Sequence, residues 1–179
     1  MTTTINNRRF QRDRETGGDR TMRIEQTNTF PVPLREGFDF LRDVSHWPYW
    51  YSGVTEIREA PVGGSWGKPG DTISFCYEML GRRLTGRVVM KEMREYDLVR
   101  SVVTISQLPE VHQEYCYTAA DEGSFLLKVA LETEESTNFL GRVVEGILLP
   151  RIMERDLKRS MVNLQDIFAT GIPAPMWWP

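Results

Sequence analysis

The stretch 139-FLGRVVEGILLPRIMERDLKRSMVNLQDIF-168 decides the fold of this 179-residue chain. Phe139, Leu140, Val143, Val144, Ile147 and Leu148, then Met153, Leu157, Met161, Leu164 and Phe168, recur at the three-to-four spacing of one helix face. Such a helix runs about 45 Å, comparable to a whole small domain. Its apolar stripe needs a partner, and the residues before it supply one, a run of short strands. The expectation is a long helix lying along a curved sheet, with room for a cavity between them. Thr137 or Asn138 can cap its start, while Gly171 and Pro173 end it. Pro150 inside the pattern predicts a bend or break near Leu149. Glu154 and Lys158 form a favourable pair on the outer face, and Arg155 and Arg159 an unfavourable one.

Working outward from the helix, period-two alternation and turn residues place seven strands, over 23–30, 54–60, 71–79, 83–94, 98–106, 111–119 and 124–134. Gly63-Gly64, Pro69-Gly70, Gly81, Tyr96-Asp97, Leu108-Pro109 and Asp121-Glu122-Gly123 separate them. Short connections imply antiparallel neighbours, because parallel strands need long crossovers. Between the first two strands, Leu34, Phe38, Leu41 and Val44 mark one helix face. A second helical turn follows through His46-Trp47-Pro48-Tyr49-Trp50-Tyr51, with Ser45 as its N-cap. The fold class is therefore α+β, with a seven-stranded antiparallel sheet, two short helices after the first strand and one long closing helix.

Composition sets limits on function. The apolar content of 40% suits one domain with a sizeable core. Residues 1–21 are polar and Arg-rich, five arginines against three acids, and too poor in large apolar side chains to fold. They are expected to be a disordered tail, with Met22 as an alternative start. With net charge -3 overall and +2 in the tail, the remainder carries -5, which opposes nucleic-acid binding. No apolar run is long enough for a membrane span and no signal-peptide core appears. Two cysteines, Cys76 and Cys116, are too few for a disulfide framework, and a cytoplasmic protein with reduced thiols is the expectation.

The motifs Thr29-Phe30-Pro31-Val32-Pro33 with Phe38, Asp43-Val44-Ser45-His46-Trp47-Pro48-Tyr49-Trp50, Gly53-Val54 and Pro69-Gly70-Asp71 occur in this order. Together with the last strand leading into the long helix, they resemble the START-like, or SRPBCC, superfamily. That superfamily includes polyketide cyclase/dehydrase-type and birch-pollen-allergen-type proteins. The resemblance covers residues 22–170 and implies a helix-grip ligand-binding domain, a bent sheet wrapped around the C-terminal helix over a mostly apolar cavity. It also implies one of several activities, since members bind lipids, sterols or aromatic metabolites, and some cyclise or dehydrate polyketides.

Alternation assigns the inner face independently of the resemblance. Ile73, Phe75, Tyr77 and Met79 share one side of their strand. Leu84, Val88 and Met90 oppose Arg83, Arg87 and Lys91; Val99, Val103 and Ile105 oppose Arg100. Tyr115 and Tyr117 oppose Glu114 and Thr118, and Phe125, Leu127, Val129 and Leu131 oppose Lys128 and Glu132. The candidate ligand-binding residues are therefore Phe75, Tyr77, Val88, Met90, Val103, Tyr115, Tyr117, Leu127 and Val129, with Val143, Ile147 and Met153 as the helix-side wall. In a pocket of this kind the tyrosine hydroxyls orient a carbonyl or hydroxyl of the ligand.

A catalytic constellation is absent from the motifs. His46 and His112 have no metal-ligand spacing with each other or with the cysteines, so neither metal nor cofactor is expected. A Cys76–Cys116 approach across neighbouring strands is less favoured than two separate thiols. Glu78 falls on the outer face and is a poor base. No phosphate loop or nucleophile elbow appears, and Gly63-Gly64-Ser65-Trp66-Gly67 reads as a loop at the cavity mouth. Trp47, Trp50 and Tyr51 are expected at the sheet edge or cavity mouth. In the Pro/Trp tail over 171–179, Met176-Trp177-Trp178 suggests docking onto this domain or onto a second copy in a homodimer. The leading expectation is a binding or carrier protein for a hydrophobic small molecule, lipid-like or aromatic polyketide-like. The alternatives are a cyclase or dehydrase using interior tyrosines and a protein-interaction scaffold.

Overall fold

The computed structural model describes residues 21–61, 66–134 and 149–172. Seven strands, β1 (Thr21–Phe30), β2 (Val54–Glu59), β3 (Thr72–Met79), β4 (Arg82–Arg94), β5 (Leu98–Ile105), β6 (Val111–Asp121) and β7 (Ser124–Glu134), form one sheet in the order β1-β7-β6-β5-β4-β3-β2. Every neighbouring pair is antiparallel. Six consecutive strands pair in chain order, and all their connections but the longer β2–β3 one, over residues 60–71, are short. Only the β1-to-β2 passage crosses the sheet, and it carries α1 (Leu34–Arg42), a 3-10 turn (Val44–His46) and α2 (Trp47–Trp50). Register shifts at Met90/Glu92 and Ala119/Asp121 insert bulges that increase bend and twist.

The long helix α3 (Leu149–Thr170) crosses the concave face of the sheet. Its inner stripe of Ile152, Leu157, Met161, Leu164 and Ile167 is buried, whereas Glu154 and Lys158 pair in solvent at 2.7 Å. The helix ends at Gly171, whose φ of +89° and N–H bond to the Ile167 carbonyl (2.7 Å) make the left-handed cap that glycine favours. The expected helix start, the bend before Pro150, Val143 and Ile147 lie outside the described residues. So do residues 1–20, Gly63-Gly64-Ser65 and the C-terminal tryptophans.

The inner-face alternation holds strand by strand. Ile73, Phe75, Val88, Met90, Val103, Phe125, Leu127 and Val129 are all nearly inaccessible. Around Phe125 the packing is aromatic, with Phe30 stacked at 5.3 Å and the Phe168 ring edge-on at 6.2 Å. One sequence expectation needs correction at α2. Ser45 does not cap α2, whose preceding residue His46 makes no side-chain capping bond; Asp43 instead caps the 3-10 turn before it, its carboxylate accepting from the Ser45 backbone N–H (2.9 Å) and hydroxyl (2.7 Å). These bonds hold Asp43 below the ordinary carboxylate range, although burial acts the other way.

Candidate functional site

Two adjoining cavities separate α2 and α3 from the sheet. The larger, about 60 Å³, is lined by Tyr77 and Met79 of β3, Val103 and Ile105 of β5, Leu131 of β7 and Met153, Asp156, Leu157 and Met161 of α3. The smaller, about 30 Å³, lies towards α1, between Phe38, Trp47, Trp66, Met93 and Tyr117. Trp50, Tyr51, Gln113 and Tyr115 line both, so they form the wall between the chambers.

Local structure explains how that wall is set. Pro48 in the first turn suits a helix start, where its missing N–H leaves nothing unpaired. The turn is pinned from both sides. Trp47 Nε1 donates to the Leu41 carbonyl at 3.2 Å, and Asn163 Nδ2 of α3 donates to the Trp50 carbonyl at 3.2 Å. Ser160, fully buried on α3, accepts the Ser52 backbone N–H at 2.9 Å and donates to the Asp156 carbonyl at 2.7 Å. A small hydroxyl there lets the α2 loop approach the helix. The Tyr51 ring stacks on the Trp50 ring, with centroids 5.2 Å apart and planes 14° from parallel.

Two polar groups interrupt the otherwise apolar lining. At the larger chamber, Tyr77 donates its hydroxyl to Asp156 Oδ2 at 2.8 Å, and Asp156 Oδ1 accepts from Arg155 at 2.9 and 3.0 Å. Burial, then the adjacent Asp156 charge, pushes the Tyr77 phenol far above its ordinary 10.0. Tyr77 is seated by Gly53: its ring lies where a side chain on that glycine would project, and Gly53 also has φ +89°. At the dividing wall, Gln113 Nε2 donates to the Tyr51 oxygen at 2.5 Å. Gln113 Oε1 accepts from Ser101 at 3.3 Å and, more weakly, from Tyr115 at 3.5 Å. Ser101 and Gln113 are directly opposed on β5 and β6. Burial raises the phenols of Tyr51, Tyr115 and Tyr117 as well, so all four tyrosines are neutral hydroxyls near neutral pH.

One buried polar atom among the described residues has no hydrogen-bond partner, the Trp50 indole nitrogen. The Trp50 side chain is only 3% exposed. A buried N–H left unpaired costs about 1–3 kcal/mol.

Of the candidate residues read from sequence, Tyr77, Val103, Tyr115 and Met153 line the larger chamber, and Tyr115 and Tyr117 the smaller. Phe75, Val88, Met90, Leu127 and Val129 share the same inner face but fill packed core and line neither chamber. Face is set by strand parity, whereas cavity contact also depends on where the helices touch the sheet. Phe75, for example, lies in the space that the absent side chain of Gly86 leaves open. The interior is also more polar than the aliphatic pocket expected from the strands, since Tyr51, Ser101, Gln113, Asp156 and Ser160 all contribute. Asp156 had a readable signal. It lies three residues after Met153 and one before Leu157, inside the apolar stripe where a solvated charge has no place.

The remaining reactive residues lie elsewhere. Cys76 and Cys116 are free and sit on β3 and β6, with two strands between them, so the neighbouring-strand approach does not occur. His46 stacks on Phe40 at 4.3 Å and Glu78 is exposed. Among the described residues there is no group of three or more metal-ligating side chains, and no helix is long and apolar enough to cross a membrane.

A bent antiparallel sheet gripping a long helix, with an apolar chamber between them, is the helix-grip architecture of the START-like, or SRPBCC, superfamily. The chain belongs to the family described as polyketide cyclase / dehydrase and lipid transport, whose model matches residues 21–169. No curated protein matches the sequence. Among solved structures, the chain is similar to a protein of unknown function from Staphylococcus aureus (9% identity, 85% of this chain and 96% of that one, TM-score 0.66). It is also similar to Ara h 8.0201 (14% identity, 84% and 99%, TM-score 0.63). A third is the Zhui aromatase/cyclase from a Streptomyces species (14% identity, 83% and 91%, TM-score 0.60). At these identities the likeness is one of fold.

Proposed function

We propose that this protein binds a small, mostly apolar molecule in the chambers between α3 and the sheet, as a carrier or receptor. The observation that carries this reading is the lining itself: an apolar enclosure containing a few fixed hydrogen-bonding groups, the usual make-up of a small-molecule site. By the measure in which one water needs about 10–15 Å³, the larger chamber has room for a few waters. A ring-sized ligand therefore enters by rotamer shifts of Met79, Met93 and Met153, which unbranched thioether side chains accommodate readily. The lipid-transport part of the family description supports this reading.

The raised tyrosine pKa values favour binding over chemistry. A proton relay works best with a pKa near the operating pH, and these phenols have moved away from it. A cyclase or dehydrase reading is favoured by Asp156, the one carboxylate that lines either chamber among the described residues, and by the likeness to an aromatase/cyclase. In that case Asp156→Asn abolishes turnover of a poly-β-ketone surrogate while binding persists.

Mass spectrometry of an organic extract of the purified protein tests the leading reading. A stoichiometric apolar compound released only on denaturation supports it. If no compound co-purifies and no apolar probe shifts the thermal midpoint, the reading fails.

A further inference from the structure

The Trp50 indole N–H is a donor only, and it belongs to a ring that lines both chambers. Its surroundings hold it in place and offer it no acceptor. The Asn163 bond fixes the Trp50 backbone and Tyr51 stacks on its face. Tyr51 adds a hydroxyl. Its oxygen accepts from Gln113, and its hydroxyl lies in hydrogen-bonding contact with that of Tyr115. Among the described residues the dividing wall thus carries an unpaired indole donor with a hydroxyl beside it, inside a mostly apolar lining.

We infer that the Trp50–Tyr51 wall is a subsite for an uncharged acceptor oxygen, and that the ligand is an apolar molecule bearing a ketone or similar carbonyl rather than a plain hydrocarbon. This rests on the binding reading above and narrows its ligand class. An uncharged oxygen is favoured over a carboxylate because, among the described residues, neither chamber offers a buried cation. Arg42, which lines the smaller one, is directed to Asp39 and Glu95 (4.0 and 3.7 Å), and Arg155 is directed to Asp156. An anion would also enter the field of Asp156.

The test compares acetophenone with ethylbenzene, which are near in shape and differ in the oxygen, by calorimetric titration of the full-length protein. A net hydrogen bond predicts that acetophenone binds about 3- to 10-fold more tightly. The Trp50 indole proton, assigned in an ¹⁵N-correlated NMR spectrum from the cross-peak lost in Trp50→Phe, should move downfield with acetophenone and not with ethylbenzene. Tyr51→Phe should reduce the ratio of acetophenone to ethylbenzene affinity. Equal affinities, or acetophenone preference with the Trp50 resonance unmoved, would overturn this inference and leave apolar binding standing. If neither compound binds, the broader reading falls, and this one falls with it. The comparison on the wild-type protein decides the matter even if Trp50→Phe fails to fold.

Discussion

Replacing Tyr77 by Phe removes one oxygen and keeps the ring that Gly53 admits. The lost hydroxyl stands 2.8 Å from Asp156 Oδ2, on a side chain that is 12% exposed. The other Asp156 oxygen keeps its Arg155 bond, but the Arg155 side chain is 60% exposed and such a pair contributes little. Oδ2 would be left facing an apolar chamber. Hydrogen bonds to charged groups contribute about 1.5–3 kcal/mol net, so Tyr77→Phe should cost about 2 kcal/mol. For a chain of this size that lowers the thermal midpoint by about 4–8 °C. Asp156→Leu removes the charge that needs the bond, and adding Tyr77→Phe to it should cost little more. A double-mutant cycle by urea denaturation should then return a coupling of about 1.5–3 kcal/mol. If Tyr77→Phe stays within about 0.5 kcal/mol of wild type and the cycle shows no coupling, the Tyr77–Asp156 bond does not stabilise the site.

Two further perturbations probe the site's construction. Gly53→Ala introduces both a left-handed alanine and a clash with the Tyr77 ring, whereas Gly70, at φ +93°, has open space around it. Gly53→Ala should therefore be the more destabilising by at least about 1 kcal/mol in a parallel melt, and equal losses would mean the Tyr77 contact is unimportant. Alkaline titration followed by phenolate absorbance should show Tyr51, Tyr77, Tyr115 and Tyr117 silent through the ordinary tyrosine range. Their pKa values are raised in the folded state, so their contribution to stability is complete below about pH 10 and is lost as pH rises towards the folded values. Ionisation of these four near pH 10 without unfolding would contradict this.

Much of the fold was legible because strands and turns are local. Alternation in Phe125-Leu126-Leu127-Lys128-Val129 leaves one choice of buried face, and Gly81 marks a tight β3–β4 connection. That turn places both Leu80 and Gly81 at positive φ, as a two-residue hairpin of this hand requires. The site was less legible because it depends on contacts between distant residues. Gln113 shares parity with Tyr115 and Tyr117, yet only the sheet register sets it opposite Ser101 and only α2 brings Tyr51 to it. Asp156 looks like one more charge on a charged helix until its position in the stripe is counted. Trp47 and Trp50 read as mouth residues because tryptophan pairs in short turns are often half-exposed; here both are buried under α3 and the β2–β3 connection residue Trp66.

The central claim is that the space between α3 and the sheet receives an apolar ligand, and filling that space tests it most directly. Calorimetric titration with ethylbenzene should give saturable binding to the wild-type protein. Met153→Trp, which puts an indole into the larger chamber, should show none while remaining folded by circular dichroism. Absence of binding to the wild type, or equal binding to the filled variant, would contradict the account.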